Sequence, residues 1–312
     1  MAHPVKLDFT NFDPLAVEKV TRLLAILAHI SHDPFLAPRV CLHGGTALNL
    51  FILGAPRLSV DIDLNYIASP SRDTLLAERD AVEQAVAIAG RELGFNVVPG
   101  KPQHAGRSFR LHYNSSQGPD HVKIDVDYLN RSPLLPPQPM TVSLTTGAEV
   151  TFLLNASMEL FAGKTKALVE RVAVRDLYDV NSINTVFPQV IADGDARLLR
   201  RVMLYFLSVS APFPRPFVVA SRFVGRGRDV TDALYPMLRH HDRPVLSDMI
   251  ATAEAFLRTV SHPADDVEVE YLARAARADF APELLFADYP DTWAAARTDP
   301  AAAWKMQNLT KL

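Results

Sequence analysis

The sequence predicts an α+β protein: a sheet with flanking helices, followed by an α-helical C-terminal domain. Three observations lead there. Up to residue 154, runs of period-two hydrophobicity alternate with helical repeats. From Ala156 onward, apolar residues recur mostly at helical spacing. Strands first and helices later is the pattern of two consecutive layers and not of one interleaved sheet, so the expected domains are 1–154 and 155–312.

The elements follow in order. Leu15, Val20, Leu23, Leu24, Leu27 and Ile30 have the spacing of one helix face. The run 39–43 reads as a buried strand stopped by Gly44 and Gly45, and 46–53 as a short helix ending at Gly54. Residues 59–67 alternate as a strand, and 74–93 form an amphipathic helix with Gly94 as terminator. Strands are expected at 95–98, 109–113, 121–128 and 149–154, with the proline-rich 133–139 as extended loop. The alanine-rich stretch 294–303 predicts a helix, and the chain shows no internal repeat.

Composition excludes several classes. A formal net charge of −3 rules out a protein that coats nucleic acid along its whole surface, while leaving room for a local basic patch. Cys41 is the sole cysteine, so neither an internal disulfide nor a cysteine-rich zinc site can form, and within Val40-Cys41-Leu42 it reads as a small buried hydrophobe. No Ser-His-Asp elbow or Walker-type loop occurs. The opening residues lack the apolar core of a secretory signal, and no apolar run is long enough for a bilayer, which predicts a cytoplasmic protein without membrane contact.

The chemistry concentrates in Ser59-Val60-Asp61-Ile62-Asp63-Leu64. On a strand Ser59, Asp61 and Asp63 share one side while Val60, Ile62 and Leu64 face a core. Two neighbouring carboxylates repel each other unless a cation lies between them, and oxygen-only ligands suit Mg²⁺ or Mn²⁺. Taken alone, such a pair is equally the solvated side of an edge strand. A calcium loop is excluded, because Tyr66 and Arg72 stand where its glycine and bidentate glutamate belong.

Context raises the functional reading. Gly44, Gly45 and Thr46 form a strand-to-helix turn in which backbone N–H groups can approach a phosphate. In 121–128, Lys123, Asp125 and Asp127 share one face, and Asp125 is the expected third carboxylate, with Asp127 in reserve. Further on, Lys164, Leu168, Arg171 and Arg175 recur at helical spacing, predicting a cationic face suited to a triphosphate; the alternative is a salt-bridged solvent face.

These residues resemble a family. His43-Gly44-Gly45-Thr46 followed by Asp61-Ile62-Asp63 looks like the first motif of the AbiEii-type nucleotidyltransferase toxins, which include the MenT group and are similar to the DNA polymerase β-like superfamily. Residues 122–129 resemble its second motif. Phe161–Leu168, with Lys164, and then Arg175-Asp176-Leu177-Tyr178-Asp179 resemble its lysine and Arg-Asp-x-x-Asp elements. The resemblance implies a nucleotidyltransferase-type mixed sheet, with the helical domain completing the nucleotide site. It implies catalytic Asp61, Asp63, Asp125 and Lys164, the three aspartates holding Mg²⁺ or Mn²⁺, and a nucleotide site of Gly44, Gly45, Thr46, Ser59, Lys164, Arg171, Asp176 and Asp179. Asp179 would position Lys164 or the nucleotide. The implied reaction moves a nucleoside monophosphate from a nucleoside triphosphate to an acceptor, the tRNA 3′ end first, so that translation stops; a cognate antitoxin is the implied partner. Alternatives are a protein or small-molecule acceptor, or an inactive binding module.

Other features read as surface: His240-His241, the turn Gly225–Arg228, and the basic patch Arg197, Arg200 and Arg201.

Overall fold

The computed structural model describes residues 4–309. These divide into two compact units: one runs to Ala156 and takes in Pro236–Asp242, the other comprises Ser157–Tyr235 and the chain from Arg243.

The first unit is built on β1 (Val5–Leu7), α1 (Pro14–His32), β2 (Val40–His43), the helical turn α2 (Gly44–Thr46), β3 (Asp61–Tyr66) and α3 (Arg72–Glu92). It continues with β4 (Asn96–Pro99), β5 (Gly106–Ser115), β6 (Gly118–Asp127), β7 (Gln138–Leu144) and β8 (Glu149–Leu154). The eight strands form one mixed sheet in the order β1-β7-β8-β2-β3-β6-β5-β4. Local chemistry sets the helix starts. The Asp13 carboxylate accepts from the amides of Leu15 and Ala16 ahead of Pro14, and Ser71 caps α3. Gly94 follows α3 at φ +81°, the conformation for which its lack of a side chain suits it.

The two faces of the sheet differ. Lys19 on α1 pairs with Asp120 on β6 at 2.9 Å, and Glu83 on α3 pairs with Arg107 on β5 at 2.5 Å, so both helices lie on the face of Val122, Ile124, Val126, Phe109 and Leu111. All five are buried, as are Ile62 and Leu64 of β3. The alternate residues of β3, β5 and β6 occupy the opposite face. Cys41 is buried, as expected, and its thiol donates to Asn155 Oδ1 at 2.8 Å.

Two strands escape the sequence pattern. β1 has only three residues, and β7 begins inside the proline-rich stretch expected to be loop. Pro139 stands near the start of β7, opposite Leu153, and the strand goes on to bury Val142. The segment 236–242, expected with the helical half, belongs to the first unit. Leu58 N–H donates to the Met237 carbonyl and His240 N–H to that of Asn11, both at 2.8 Å, and the Arg239 guanidinium lies 4.5 Å from the Phe12 ring.

The second unit is helical: α4 (Ser157–Glu170), α5 (Val174–Asp193), α6 (Ala196–Ser208), the short α7 (Gly227–Asp229), α8 (Leu246–Ser261), α9 (Asp266–Ala275), α10 (Glu283–Phe286), α11 (Pro290–Arg297) and α12 (Pro300–Leu309). The alanine-rich stretch is two helices, because Thr298 and Asp299 break it ahead of Pro300, which cannot continue a helix by hydrogen bonding. Among the described residues no helix is long and apolar enough to cross a membrane.

Candidate active site

β3 and β6 run parallel as neighbours, with Asp63 opposite Asp125, Asp61 opposite Lys123 and Asn65 opposite Asp127. β5 extends the rows, Ser108 standing opposite Asp125 and Arg110 opposite Lys123; on the other flank His43 of β2 is opposite Asp63. One row across the sheet therefore reads His43, Asp63, Asp125, Ser108, and the next reads Asp61, Lys123, Arg110. Register partners point the same way, so the three carboxylates share the face opposite α1 and α3. Each is half-buried.

The Gly44 turn presses on this row. Gly44 has φ +72°, and a β-carbon there would stand 2.9 Å from Asp63 Cγ and overlap its Oδ2. Thr46 is fully buried and its hydroxyl donates to the Asp61 carbonyl at 2.5 Å, tying the turn to the first residue of β3. Asn49 donates to the Gly45 carbonyl at 3.0 Å. Ser59 lies buried just ahead of β3. The expected strand start at residue 59 is not formed; pairing begins at Asp61.

Asp125 is held from two sides. Ser108 Oγ donates to Oδ1 and Lys123 Nζ to Oδ2, both at 2.5 Å. Asp127, the reserve carboxylate, serves the turn after β6: its Oδ1 accepts from the amides of Leu129 and Asn130 and its Oδ2 from the Asn130 side chain.

The second unit carries its own charged cluster. Lys164 on α4 is buried and paired with Asp179 at 2.9 Å and Asp176 at 3.2 Å, both on α5 and both buried. Arg171 grips Asp176 with two hydrogen bonds, at 2.5 and 2.9 Å. Asp176 is thus shared by Lys164 and Arg171. The continuous cationic helix face expected from Lys164 to Arg175 does not form, because α4 stops at Glu170 and α5 begins after Ala173 in extended conformation. Arg175 thus belongs to the next helix.

A family model for the nucleotidyl transferase AbiEii toxin of type IV toxin–antitoxin systems matches residues 25–308. The chain belongs to the AbiEii nucleotidyltransferase toxin family. The match spans both units, and the mixed sheet with its flanking helices is the nucleotidyltransferase toxin fold. The solved structure of MenT4, a nucleotidyltransferase toxin from Mycobacterium tuberculosis H37Rv, is similar with a TM-score of 0.58 at 19% identity, over 90% of this chain and 92% of that one. JHP933 from Helicobacter pylori is similar with a TM-score of 0.50 at 16% identity, over 80% and 93%. Among curated proteins no sequence relative matches.

Within this AbiEii chain the predicted site residues gather in two clusters, each inside its own unit. Asp61, Asp63 and Asp125 share a face beside the Gly44-Gly45-Thr46 turn; Lys164, Arg171, Asp176 and Asp179 form the buried network. For a divalent cation the donor chemistry fits, since three carboxylates on two adjacent strands offer only oxygen. The side-chain placement is less convergent than expected: among the described residues no three acidic, histidine or cysteine side chains group as a ready metal site. At Asp125 the Lys123 ammonium already supplies a positive charge. Ser108 and Lys123 as its partners were missed at the sequence level. Lys123 was legible as sharing its face, whereas Ser108 depends on the β5–β6 register.

The remaining motifs are structural. Arg197 pairs with Asp288 and Arg200 with Glu268, while Arg201 is buried and donates to the Leu285 carbonyl, so α6 carries no free basic patch from these three. His240 and His241 are exposed.

Proposed function

We propose that this AbiEii nucleotidyltransferase toxin transfers a nucleoside monophosphate from a nucleoside triphosphate to the 3′ end of tRNA, and so stops translation in the cytoplasm. The observation that carries the reading is the register of Asp63 with Asp125, with Asp61 one step along and the Gly44 turn against Asp63. Asp61, Asp63 and Asp125 are the residues that would hold Mg²⁺ or Mn²⁺, and the ion would supply charge neutralisation at the transferring phosphoryl group. Asp125 accepts the proton of the acceptor hydroxyl as its oxygen bonds to the α-phosphorus and the α–β phosphoanhydride bond breaks, releasing pyrophosphate. Gly44, Gly45 and Thr46 offer backbone N–H groups to phosphate oxygens, next to Ser59. The role assigned to Lys164 is a charge contact to the triphosphate, with Asp176 and Asp179 orienting its ammonium and Arg171 steadying Asp176. The partner is a cognate antitoxin of the type IV kind that the family description names.

The test is transfer of label from each α-labelled nucleoside triphosphate to total RNA and, separately, to total protein. Label is expected on tRNA, lost with Asp61→Ala or with a chelator, while the variant keeps its thermal transition. Transfer by Asp61→Ala at the normal rate overturns the site assignment. Label on protein and none on RNA overturns the acceptor.

A further inference from the structure

Past the Asp125–Ser108 row, the same face of the β5–β6 hairpin turns basic. Arg110 stands opposite Lys123, and His112 opposite His121. The two imidazole rings lie 5.4 Å apart between centroids. Arg110 and Lys123 are like charges directly opposite one another, which opposes strand pairing, and the imidazole pair follows in the next row. Toward the hairpin turn this face carries Arg110, His112 and Asn114 on β5, and Lys123, His121 and Pro119 on β6; Asp61 stands beside Lys123 in its row, and Asp120 Oδ1 lies 4.0 Å from His121 Nδ1. Lys123 is anchored to Asp125, whereas Arg110 is exposed. Beside Arg110, Val98 of β4 is 44% exposed, so this edge of the sheet faces solvent. Burial first, then the charges of Lys19, His112 and Arg110, hold the His121 imidazole below its ordinary value against the opposing pull of Asp120.

An anion lying across the strip removes the repulsion that the pairing leaves. The rows repeat about every 7 Å along a strand, a step comparable to that between successive phosphates of an extended polynucleotide. The strip also has a direction. The Gly44 turn flanks the carboxylates on the β2 side, and the strip leaves Asp125 on the β5 side, so donor phosphates and acceptor would approach from opposite flanks.

We propose that Arg110, His112 and His121, with Lys123 at the inner end, form a track for the phosphate backbone of the acceptor RNA, guiding its terminal hydroxyl to Asp125. This rests on the reading that the acceptor is RNA. Phosphate contacts of this kind position a nucleic acid without reading its sequence and release counterions on binding.

The experiment is fluorescence anisotropy of end-labelled tRNA with the full chain, without nucleoside triphosphate, across a salt series. Arg110→Ala with His112→Ala should weaken tRNA binding at least fivefold and flatten the plot of log affinity against log salt by about one, for the charge of Arg110. Arg110→Lys should keep most of the affinity. Nucleoside triphosphate binding by calorimetry should stay as in the unaltered chain, and the melting temperature should not fall. Unchanged tRNA affinity overturns the track, as does an unaltered chain that binds no tRNA. Equal loss of tRNA and triphosphate binding also overturns it, assigning the strip to donor phosphates. Transfer of label to RNA by the unaltered chain, together with undiminished tRNA binding by the double variant, sinks the track while the transferase reading stands. Label on protein alone sinks that reading itself.

Discussion

The backbone of Gly44 lies so close to Asp63 that a β-carbon on the glycine would come within 2.9 Å of Cγ and overlap Oδ2. With φ at +72°, Gly44 is also in a region where a side chain strains the backbone by about 1–2 kcal/mol. Gly44→Ala should therefore cost at least that much stability and swing the Asp63 carboxylate out of its row. Because a misplacement of about 1 Å can lower turnover ~100-fold, transfer should fall by at least that factor. Denaturant unfolding and the label-transfer assay check the two effects.

Thr46 couples the same turn to β3 by donating to the Asp61 carbonyl. Thr46→Val keeps the volume and removes the hydrogen bond to the Asp61 carbonyl, at a cost of about 1 kcal/mol. Transfer should drop more than tenfold while Thr46→Ser, which restores the hydroxyl, stays within a few-fold of the unaltered protein. Equal activity of the valine and serine variants would contradict the coupling.

Lys164 is enclosed by two buried carboxylates. Removing its charge takes that partner from Asp179 and leaves Asp176 to Arg171, and breaking a buried pair in this way costs about 3–5 kcal/mol. Lys164→Ala is thus expected to melt well below the unaltered chain, in contrast to Asp61→Ala. Lys164→Ala with Asp179→Asn should recover part of the melting temperature without recovering transfer.

Lys123 competes for Asp125 with any added cation, since its ammonium lies 2.5 Å from Oδ2. The pair is about one-third exposed on each side, so its strength is ~1 kcal/mol or less. Lys123→Met should tighten Mn²⁺ binding by up to about fivefold in calorimetry. Weaker Mn²⁺ binding would mean that Lys123 orients Asp125 and does not oppose the ion.

Much of the site was readable along the chain because its signals are local. Period-two alternation in Asp61-Ile62-Asp63-Leu64 and Lys123-Ile124-Asp125-Val126 requires the charged residues on one face and the apolar ones on the other. Other features carried no such signal. β1 is too short to show a period, and prolines disguise the start of β7. Residues 236–242 join the first unit through backbone hydrogen bonds and the contacts of Arg239, none of which shows as a period along the chain. Arg175 fell out of the expected cationic face because three residues of broken helix separate it from Lys164.

The sequence by itself determined which side chains would be rigidly held, which faces they would share, and that oxygen donors would stand beside a glycine turn. Only the tertiary structure decided that Asp63 meets Asp125, that Ser108 and Lys123 hold Asp125, and that Lys164 is enclosed by Asp176 and Asp179. The physical reason is range. Alternation and capping act over a few residues, whereas a parallel register between β3 and β6 is set by everything folded between them: α3, β4, β5 and the hairpin that returns the chain.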